Sequence, residues 1–264
     1  VGMPSSPAGT QLSDEPHLSP GGIHFSIMTE KESLDVLIFA PHPDDAELGM
    51  GGTIIKWNEA GFRVGVIDLT RGELGTKGNA DVRALEVEEA SRVLGLAFRG
   101  NLDLGDGRVS DTHENRLKVA EAIRHFRAPF VFTCYPDDPH PDHRAGARVV
   151  RAGFFLARLP KVETLSPAFA PRRCLYYFLH KMDRITFSVD ITAQFERKQE
   201  ALRAFVSQFV EPELPVDYRY IGINDYLEQI EAYNRTIGAQ IGVKYAEGYH
   251  SDTPLSLPLP TVMD

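Results

Sequence analysis

The sequence predicts an α/β fold: an open, mostly parallel, Rossmann-like sheet with helices on both faces and a C-terminal α/β elaboration. Two observations lead there. Short apolar runs alternate with helix-like stretches up to about residue 160, the pattern of strands joined by crossover helices. Glycines then punctuate the helices, with Gly61 and Gly95 at the expected stops. Taken in order, Leu34 to Ala40 reads as a buried strand and Gly49 to Ala60 as a helix with Ile54, Ile55 and Trp57 inward. Arg63 to Thr70 is the next strand, and Arg71 to Gly78 a glycine-containing loop. A helix opens near Asn79 or Asp81 and carries Val82, Leu85, Val87, Ala90, Val93 and Leu94. A weaker strand at Ala97 to Leu102, a turn at Gly105-Asp106-Gly107 and a helix from Glu114 to Arg127 follow. Phe130 to Tyr135 is a strand and Asp142 to Leu159 a helix. The crossovers should be right-handed.

Beyond residue 160 the pattern changes. Strands are expected at Cys174 to His180 and Thr186 to Ile191, helices at Ala193 to Gln208 and Asp225 to Gly242, and a mostly irregular tail from Tyr245. No internal repeat or linker divides residues 28–264, which read as one domain. Residues 1–27 are rich in Pro, Ser and Gly and lack a hydrophobic period; they read as an extension, either a flexible arm or a tag.

Composition narrows the function. Of 264 residues, 42% are apolar and 25% charged, ordinary for a soluble globular chain. No apolar run is long enough to span a membrane. A net charge of −9 argues against a nucleic-acid surface. The N-terminus lacks the basic start and apolar core of a secretory signal. Two cysteines, Cys134 and Cys174, make no disulfide framework, so a cytoplasmic location is expected.

The chemistry-bearing residues form two clusters. His42-Pro43-Asp44-Asp45 follows the first strand, and His140-Pro141-Asp142-His143 follows the strand at Phe130 to Tyr135. One such cluster alone is usually a turn with an N-cap aspartate. Two, both behind buried strands, fall on the edge where open α/β sheets bind ligands. If those strands are neighbours, His42, Asp45 and His143 can share one ion. Two imidazoles and a carboxylate with an open position form a catalytic zinc pattern, and such an ion activates water and polarises a carbonyl. Asp44 is left free to take a proton. His140 is placed to stabilise an oxyanion, with Asp142 as a partner that would keep it charged.

Lesser candidates carry open alternatives. Glu73, after the second strand, could accept hydrogen bonds from sugar hydroxyls or belong to a solvated loop. Arg83 opens a helix that should point into the site, although a lone arginine is more often a surface cation. Gly49-Met50-Gly51-Gly52-Thr53 lacks the ending of a phosphate loop, so it reads as close helix packing. The histidines His17, His24, His113, His125, His180 and His250 have no comparable context. Two other classes compete: a non-haem Fe(II) oxygenase, which uses the same ligand types, and a nucleotide-binding module without chemistry.

Ala40-Pro41-His42-Pro43-Asp44-Asp45 together with His140-Pro141-Asp142-His143 resembles the LmbE/PIG-L family of zinc-dependent N-acetylglucosamine deacetylases. The resemblance runs from about Leu34 to Tyr249. It includes Asp68-Leu69-Thr70, Val82-Arg83-Ala84-Leu85-Glu86, Asn101-Leu102, Ser207-Gln208-Phe209 and Tyr245-Ala246-Glu247-Gly248. The combination looks most like the bacillithiol-pathway branch, whose substrate is N-acetylglucosaminyl malate; another N-acetylglucosamine conjugate, such as a chito-oligosaccharide, is the alternative. The resemblance implies Zn2+, or Fe2+ or another divalent metal, on His42, Asp45 and His143. It implies Asp44 as general base, His140 at the tetrahedral intermediate and Asp142 orienting His140. It implies Arg83 against the substrate and Tyr226 at the reacting carbonyl. Pro41 replaces the family's usual alanine. A small amino-sugar substrate and a homo-oligomer, often a hexamer in this branch, are also implied.

Overall fold

Every residue of β1 (Val36–Ala40) is buried, which requires cover on both faces of the sheet. The computed structural model, which describes residues 33–75, 77, 79–209 and 226–256, supplies it. The expected extension over residues 1–27 lies outside the described residues. After β1 come α1 (Asp45–Glu59), β2 (Val64–Asp68), α2 (Ala80–Leu94), β3 (Phe98–Asn101), α3 (His113–Phe126), β4 (Phe130–Cys134) and α4 (Pro141–Ala157). The second half adds β5 (Arg173–Tyr177), β6 (Phe187–Asp190), α5 (Phe195–Arg203), α6 (Val206–Phe209), α7 (Tyr226–Gln240) and β7 (Ala246–His250). Strand alternation divides the core. Val36, Ile38 and Ala40 join Ile54, Ile55 and Leu202 on one face. Leu37 and Phe39 join Ile123, Val149 and Val150 on the other.

The seven strands run in the order β3-β2-β1-β4-β5-β7-β6. Strands β1 to β5 are parallel, and β7 is antiparallel to both β5 and β6. The chain steps outward from β1 to β2 and β3, then crosses to β4 on the other side of β1. The strand order therefore reverses between β1 and β4, where the carboxyl ends open a crevice. The expectation that these two strands are neighbours holds, with Val36 opposite Phe130 and Phe39 opposite Thr133.

Three elements differ from the sequence reading. Helix α1 begins at Asp45, four residues before Gly49. Asp45 and Glu47 occupy its first turn, where acidic side chains complement the positive end of the helix. The expected helix from Ala193 to Gln208 is broken into α5 and α6. The Ser207 N–H at that break donates 2.6 Å to the Glu86 carboxylate on α2, and the Ser207 hydroxyl donates to the same group at 2.9 Å. The tail from Tyr245, expected to be irregular, contains β7, which lies inside the sheet. Local propensity does not favour Ala246-Glu247-Gly248 as a strand; tertiary contacts hold it. The buried Glu247 carboxylate accepts from Gly52 N (2.9 Å), Thr53 N (2.8 Å), Thr53 Oγ1 (2.6 Å) and Lys198 Nζ (2.7 Å).

The glycines of Gly49 to Thr53 serve this packing. A Cβ on Gly49 would sit 2.3 Å from Tyr177 Cδ2, and one on Gly52 would sit 2.7 Å from Ile191. Only a bare backbone lets α1 lie this close to β5 and to Ile191 just after β6.

Candidate metal centre and active site

The β1–α1 turn and the first turn of α4 meet over the crevice. His42 Nδ1 lies 3.3 Å from Asp45 Oδ2, His143 Nε2 lies 3.3 Å from the same oxygen, and the two nitrogens lie 3.3 Å apart. These three atoms form an equilateral triangle. Ligand atoms about 2.0–2.1 Å from one tetrahedral ion are about 3.3–3.4 Å apart, so this donor set fits a zinc-sized divalent ion. His140 also offers a nitrogen within 4.8 Å of His42 and His143.

Each histidine of the triangle has carboxylate behind its other nitrogen. His42 Nε2 faces Asp106 Oδ1 at 3.1 Å and Asp142 Oδ2 at 3.3 Å. His143 Nδ1 lies 3.0 Å from Asp138 Oδ1, a charge contact outside hydrogen-bond angles. Carboxylates in this position orient metal-binding imidazoles and raise their basicity. The pKa directions agree. Burial works against a charged His42, yet its hydrogen bonds to the carboxylates of Asp106, Asp142 and Asp45 raise it to about 12. Burial likewise opposes a charge on His143, but Asp45 and Asp138 raise it to about 9. Burial would raise Asp45, but His143 and His42 hold it well below the usual carboxylate range. The cage favours positive charge, and a proton or a divalent cation can supply it.

Asp44 is the strained residue. It caps α1 with φ 126°, and its side chain makes no capping hydrogen bond. That backbone region suits few non-glycine residues. The freed carboxylate accepts from Arg83 Nη1 at 3.1 Å, and the same nitrogen donates 2.5 Å to the Pro43 carbonyl. Burial pushes Asp44 up to about 7, against the pull of the Arg83 guanidinium and with the Asp45 charge adding to the rise.

At the other corner, His140 is the N-cap of α4, and Pro141 takes the first helical position, where its missing N–H costs nothing. His140 Nδ1 accepts from the Asp142 N–H at 3.2 Å, which leaves Nε2 to carry the proton of the neutral ring. Burial and the nearby charges of His143 and His42 lower its pKa. The expected pairing of the Asp142 carboxylate with His140 is not the one the structure makes. Its oxygens lie at His42 Nε2 and accept from Gly107 N (2.7 Å) and Val109 N (3.2 Å). The helix turn sends that carboxylate to His42 across the crevice, while its charge still raises His140 in the expected direction.

The lesser candidates divide. Arg83 is buried and joined to Asp44, with its Nε unpartnered. It also borders a cleft of about 500 Å³ with Arg71, Arg99 and Asn101. Glu73 is committed to the backbone: its carboxylate accepts from Arg71 N at 3.1 Å and Asp106 N at 2.8 Å. It braces the loop that carries Asp106, leaving its oxygens engaged without a sugar. Tyr226 opens α7, half-buried, with its ring stacked on Phe209 at 5.7 Å. Burial raises its hydroxyl pKa, and Asp45 and Asp44 add to the rise, which puts it within electrostatic reach of the triangle.

Sequence reasoning missed Asp106, Asp138 and His180. Asp106 sits in the noted Gly105-Asp106-Gly107 turn, on the same sheet edge as the motifs. Asp138 lies two residues before His140; it accepts from the His140 N–H at 2.9 Å and touches His180 Nδ1 at 3.1 Å. His180 stacks on His143 at 5.3 Å. Its partner is distant in sequence, so no local signal marked it.

Comparison with known proteins identifies the family. The family model described as PIG-L, GlcNAc-PI de-N-acetylase, matches residues 37–154, which include both motifs. Diacetylchitobiose deacetylase of Thermococcus kodakarensis is 34% identical over 234 residues, covering 81% of each chain. The chain belongs to the PIG-L/LmbE family. It is accordingly a hydrolase, a deacetylase of N-acetylglucosamine-type substrates. Another PIG-L/LmbE relative, the probable N-acetyl-alpha-D-glucosaminyl L-malate deacetylase 2 of Bacillus anthracis, is 26% identical over 76% of this chain and 93% of its own. The fold matches the crystal structure of the conserved protein TT1542 of Thermus thermophilus, with TM-score 0.78 and 40% identity over 85% of this chain and 97% of that one. No helix among the described residues is long and apolar enough to cross a membrane.

Proposed function

We propose that this PIG-L deacetylase removes the acetyl group from an N-acetylglucosamine glycoside by metal-assisted hydrolysis at the triangle of His42, Asp45 and His143. The observation that carries the reading is the set of three 3.3 Å separations, with carboxylates behind both imidazoles. Zn2+ suits two nitrogens and one oxygen at this spacing, and Fe2+ accepts the same donors. A divalent ion held there supplies Lewis-acid polarisation of the amide and a water of lowered pKa.

The chain's own residues do the rest. Asp44, with a pKa near 7, accepts the proton of the attacking water. Arg83 holds that carboxylate in place and keeps it from capping the helix. His140, neutral with its proton on Nε2, donates a hydrogen bond to the oxyanion as the carbonyl becomes tetrahedral. The proton held by Asp44 then goes to the departing amine, and acetate and a free amino sugar leave. Tyr226 supplies a second donor, its hydroxyl, from α7. Asp142, Asp106 and Asp138 orient the ligand histidines.

Two aglycones are supported. The motif combination and the Bacillus anthracis relative favour N-acetylglucosaminyl malate. The higher identity to the Thermococcus enzyme favours diacetylchitobiose. Metal-loaded protein is incubated with each glycoside and with N-acetylglucosamine, and free amine is measured with and without a chelator. Chelator-sensitive release from one glycoside fixes the aglycone. No release from any of them by protein that retains its metal sinks the proposed substrate class.

A further inference from the structure

Beneath the metal triangle lies a charged cluster that the proposed chemistry does not use. Arg99 reaches from β3 across the end of β2. Its Nε and Nη2 donate to Asp68 at 2.9 and 3.0 Å, and its Nη1 donates to Glu47. The three side chains are 7%, 3% and 0% exposed. Glu47 stands in the first turn of α1, two residues after Asp45, and its second oxygen is buried without a partner. Two carboxylates therefore share one guanidinium in the core. Such a cluster is a poor device for stability alone, because burying ions costs about as much as their attraction returns. What it provides is direction. A planar guanidinium with fixed donors joins β2, β3 and the start of α1 in one geometry. The first turn of α1 needs such a tether. Asp44 before it is strained at φ 126° and supplies no side-chain cap. The turn's nearby holds are the His42 N–H bond to Asp45 Oδ2 at 2.9 Å and the Arg83 bonds to Pro43 and Asp44, and none of these reaches β2 or β3.

Resting on the reading of Asp44 and Asp45 as base and ligand, we propose that Arg99 is a positioning residue: by gripping Glu47 and Asp68 together it fixes the first turn of α1, and with it both aspartates, over the sheet.

The test uses the full chain in three forms. They are Arg99→Lys, the double variant Glu47→Met with Arg99→Met, and Asp45→Asn as a control on the site itself. Melting temperature, zinc affinity by competition with a chromophoric chelator, and kcat and KM on the glycoside that the unaltered protein turns over are measured for each. In the double variant Asp68, already raised to about 6 by burial despite Arg99, takes a proton. An uncharged contact then replaces the cluster, and the melting point should stay within about 5 °C. Zinc affinity and kcat should each fall roughly 10- to 100-fold, as they do when the supports of a metal ligand are lost, with KM nearly unchanged. Arg99→Lys should move the same two readouts in the same direction, and it decides the matter if the double variant does not fold. A folded double variant with zinc affinity and kcat within about twofold of the unaltered protein overturns the proposal. So does a raised KM at unchanged kcat, which would make Arg99 a substrate contact from the cleft it borders. Asp45→Asn with full zinc affinity overturns the site reading itself. Loss of zinc in Asp45→Asn without loss in the double variant overturns the Arg99 proposal alone.

Discussion

The two His-Pro-Asp corners look alike in sequence and are built in opposite ways. At the β4–α4 corner the chain follows ordinary helix-start chemistry: His140 caps, Pro141 opens the helix and the acceptor Nδ1 is satisfied. At the β1–α1 corner the residue in the capping position, Asp44, declines to cap and sits at φ 126°. In the proposed mechanism the relaxed corner contributes a ligand and a neutral donor. The strained corner contributes the other two proposed ligands and the one carboxylate in the set whose pKa is near 7. An aspartate that capped its helix would be held as an anion by backbone N–H groups, with its pKa pushed down. Burial raises the Asp44 carboxylate to about 7, and because the carboxylate does not cap α1, no backbone N–H groups pull it back down.

The largest expected effect treats the corners as equals. Removing a ligand from either side, as Asp45→Ala or His143→Ala, should abolish stoichiometric zinc and lower kcat/KM by roughly 10³-fold or more, since the ion supplies several kcal/mol. Metal analysis beside a rate assay checks it. Full metal content in either variant would break the triangle. Asp44→Ala should separate the corners from each other. Turnover should fall by roughly 10²- to 10⁴-fold while the metal stays. In the unaltered protein kcat/KM should fall as pH drops through about 7, because the base works only when ionised and its raised pKa sets that limb. The residual rate of Asp44→Ala should lack that limb. A variant that loses metal instead removes Asp44 from the base role.

Both corners were visible in the sequence because their His and Asp residues follow strands that must be buried. Apolar runs such as Leu37-Ile38-Phe39 cannot be placed elsewhere, and the order of a parallel sheet brings their ends together. The carboxylates behind the histidines were less legible. Asp106 comes from a turn after β3, and Asp142 turned out to serve His42 from across the crevice rather than His140 beside it. Which of two nearby acids meets an imidazole depends on the direction of the first helical turn, and sequence spacing does not carry that. Strand β7 escaped for a related reason: Glu247 is a strand residue only because Gly52, Thr53 and Lys198 receive it.

The supports give a smaller, graded effect. Asp106→Asn and Asp138→Asn should each weaken zinc affinity or turnover roughly 10- to 100-fold. Asp106→Asn bears on the strained corner, where Asp142 still backs His42. Asp138→Asn leaves His143 with no carboxylate at Nδ1 among the described residues, so it should be the more damaging. Chelator competition on both variants ranks them. The reverse order would mean that Asp138 serves His180 and the backbone of the turn more than it serves His143.

The smallest effect concerns stability, and it isolates the strain itself. Glycine adopts φ 126° without the steric cost that a Cβ imposes. A side chain forced into this region costs about 1–3 kcal/mol, so Asp44→Gly should be more stable than Asp44→Ala by roughly 1–2 kcal/mol net of the opposing unfolded-chain effect. Both variants lose the carboxylate, its buried charge and its bond to Arg83, so these terms cancel in the comparison. Glycine's extra freedom in the unfolded chain works against the difference by somewhat less than about 1 kcal/mol, so any observed advantage understates the strain. Urea denaturation of the two metal-free variants measures it directly. The same exchange at the relaxed corner, His140→Gly against His140→Ala, should give a smaller gap of roughly 0.5–1 kcal/mol, the ordinary preference for glycine over alanine at an N-cap. Equal gaps at both corners would mean that Asp44 relaxes its backbone once its carboxylate is gone. The strain would then be imposed by the grip of Arg83 on that side chain rather than by the path of the chain from β1 into α1.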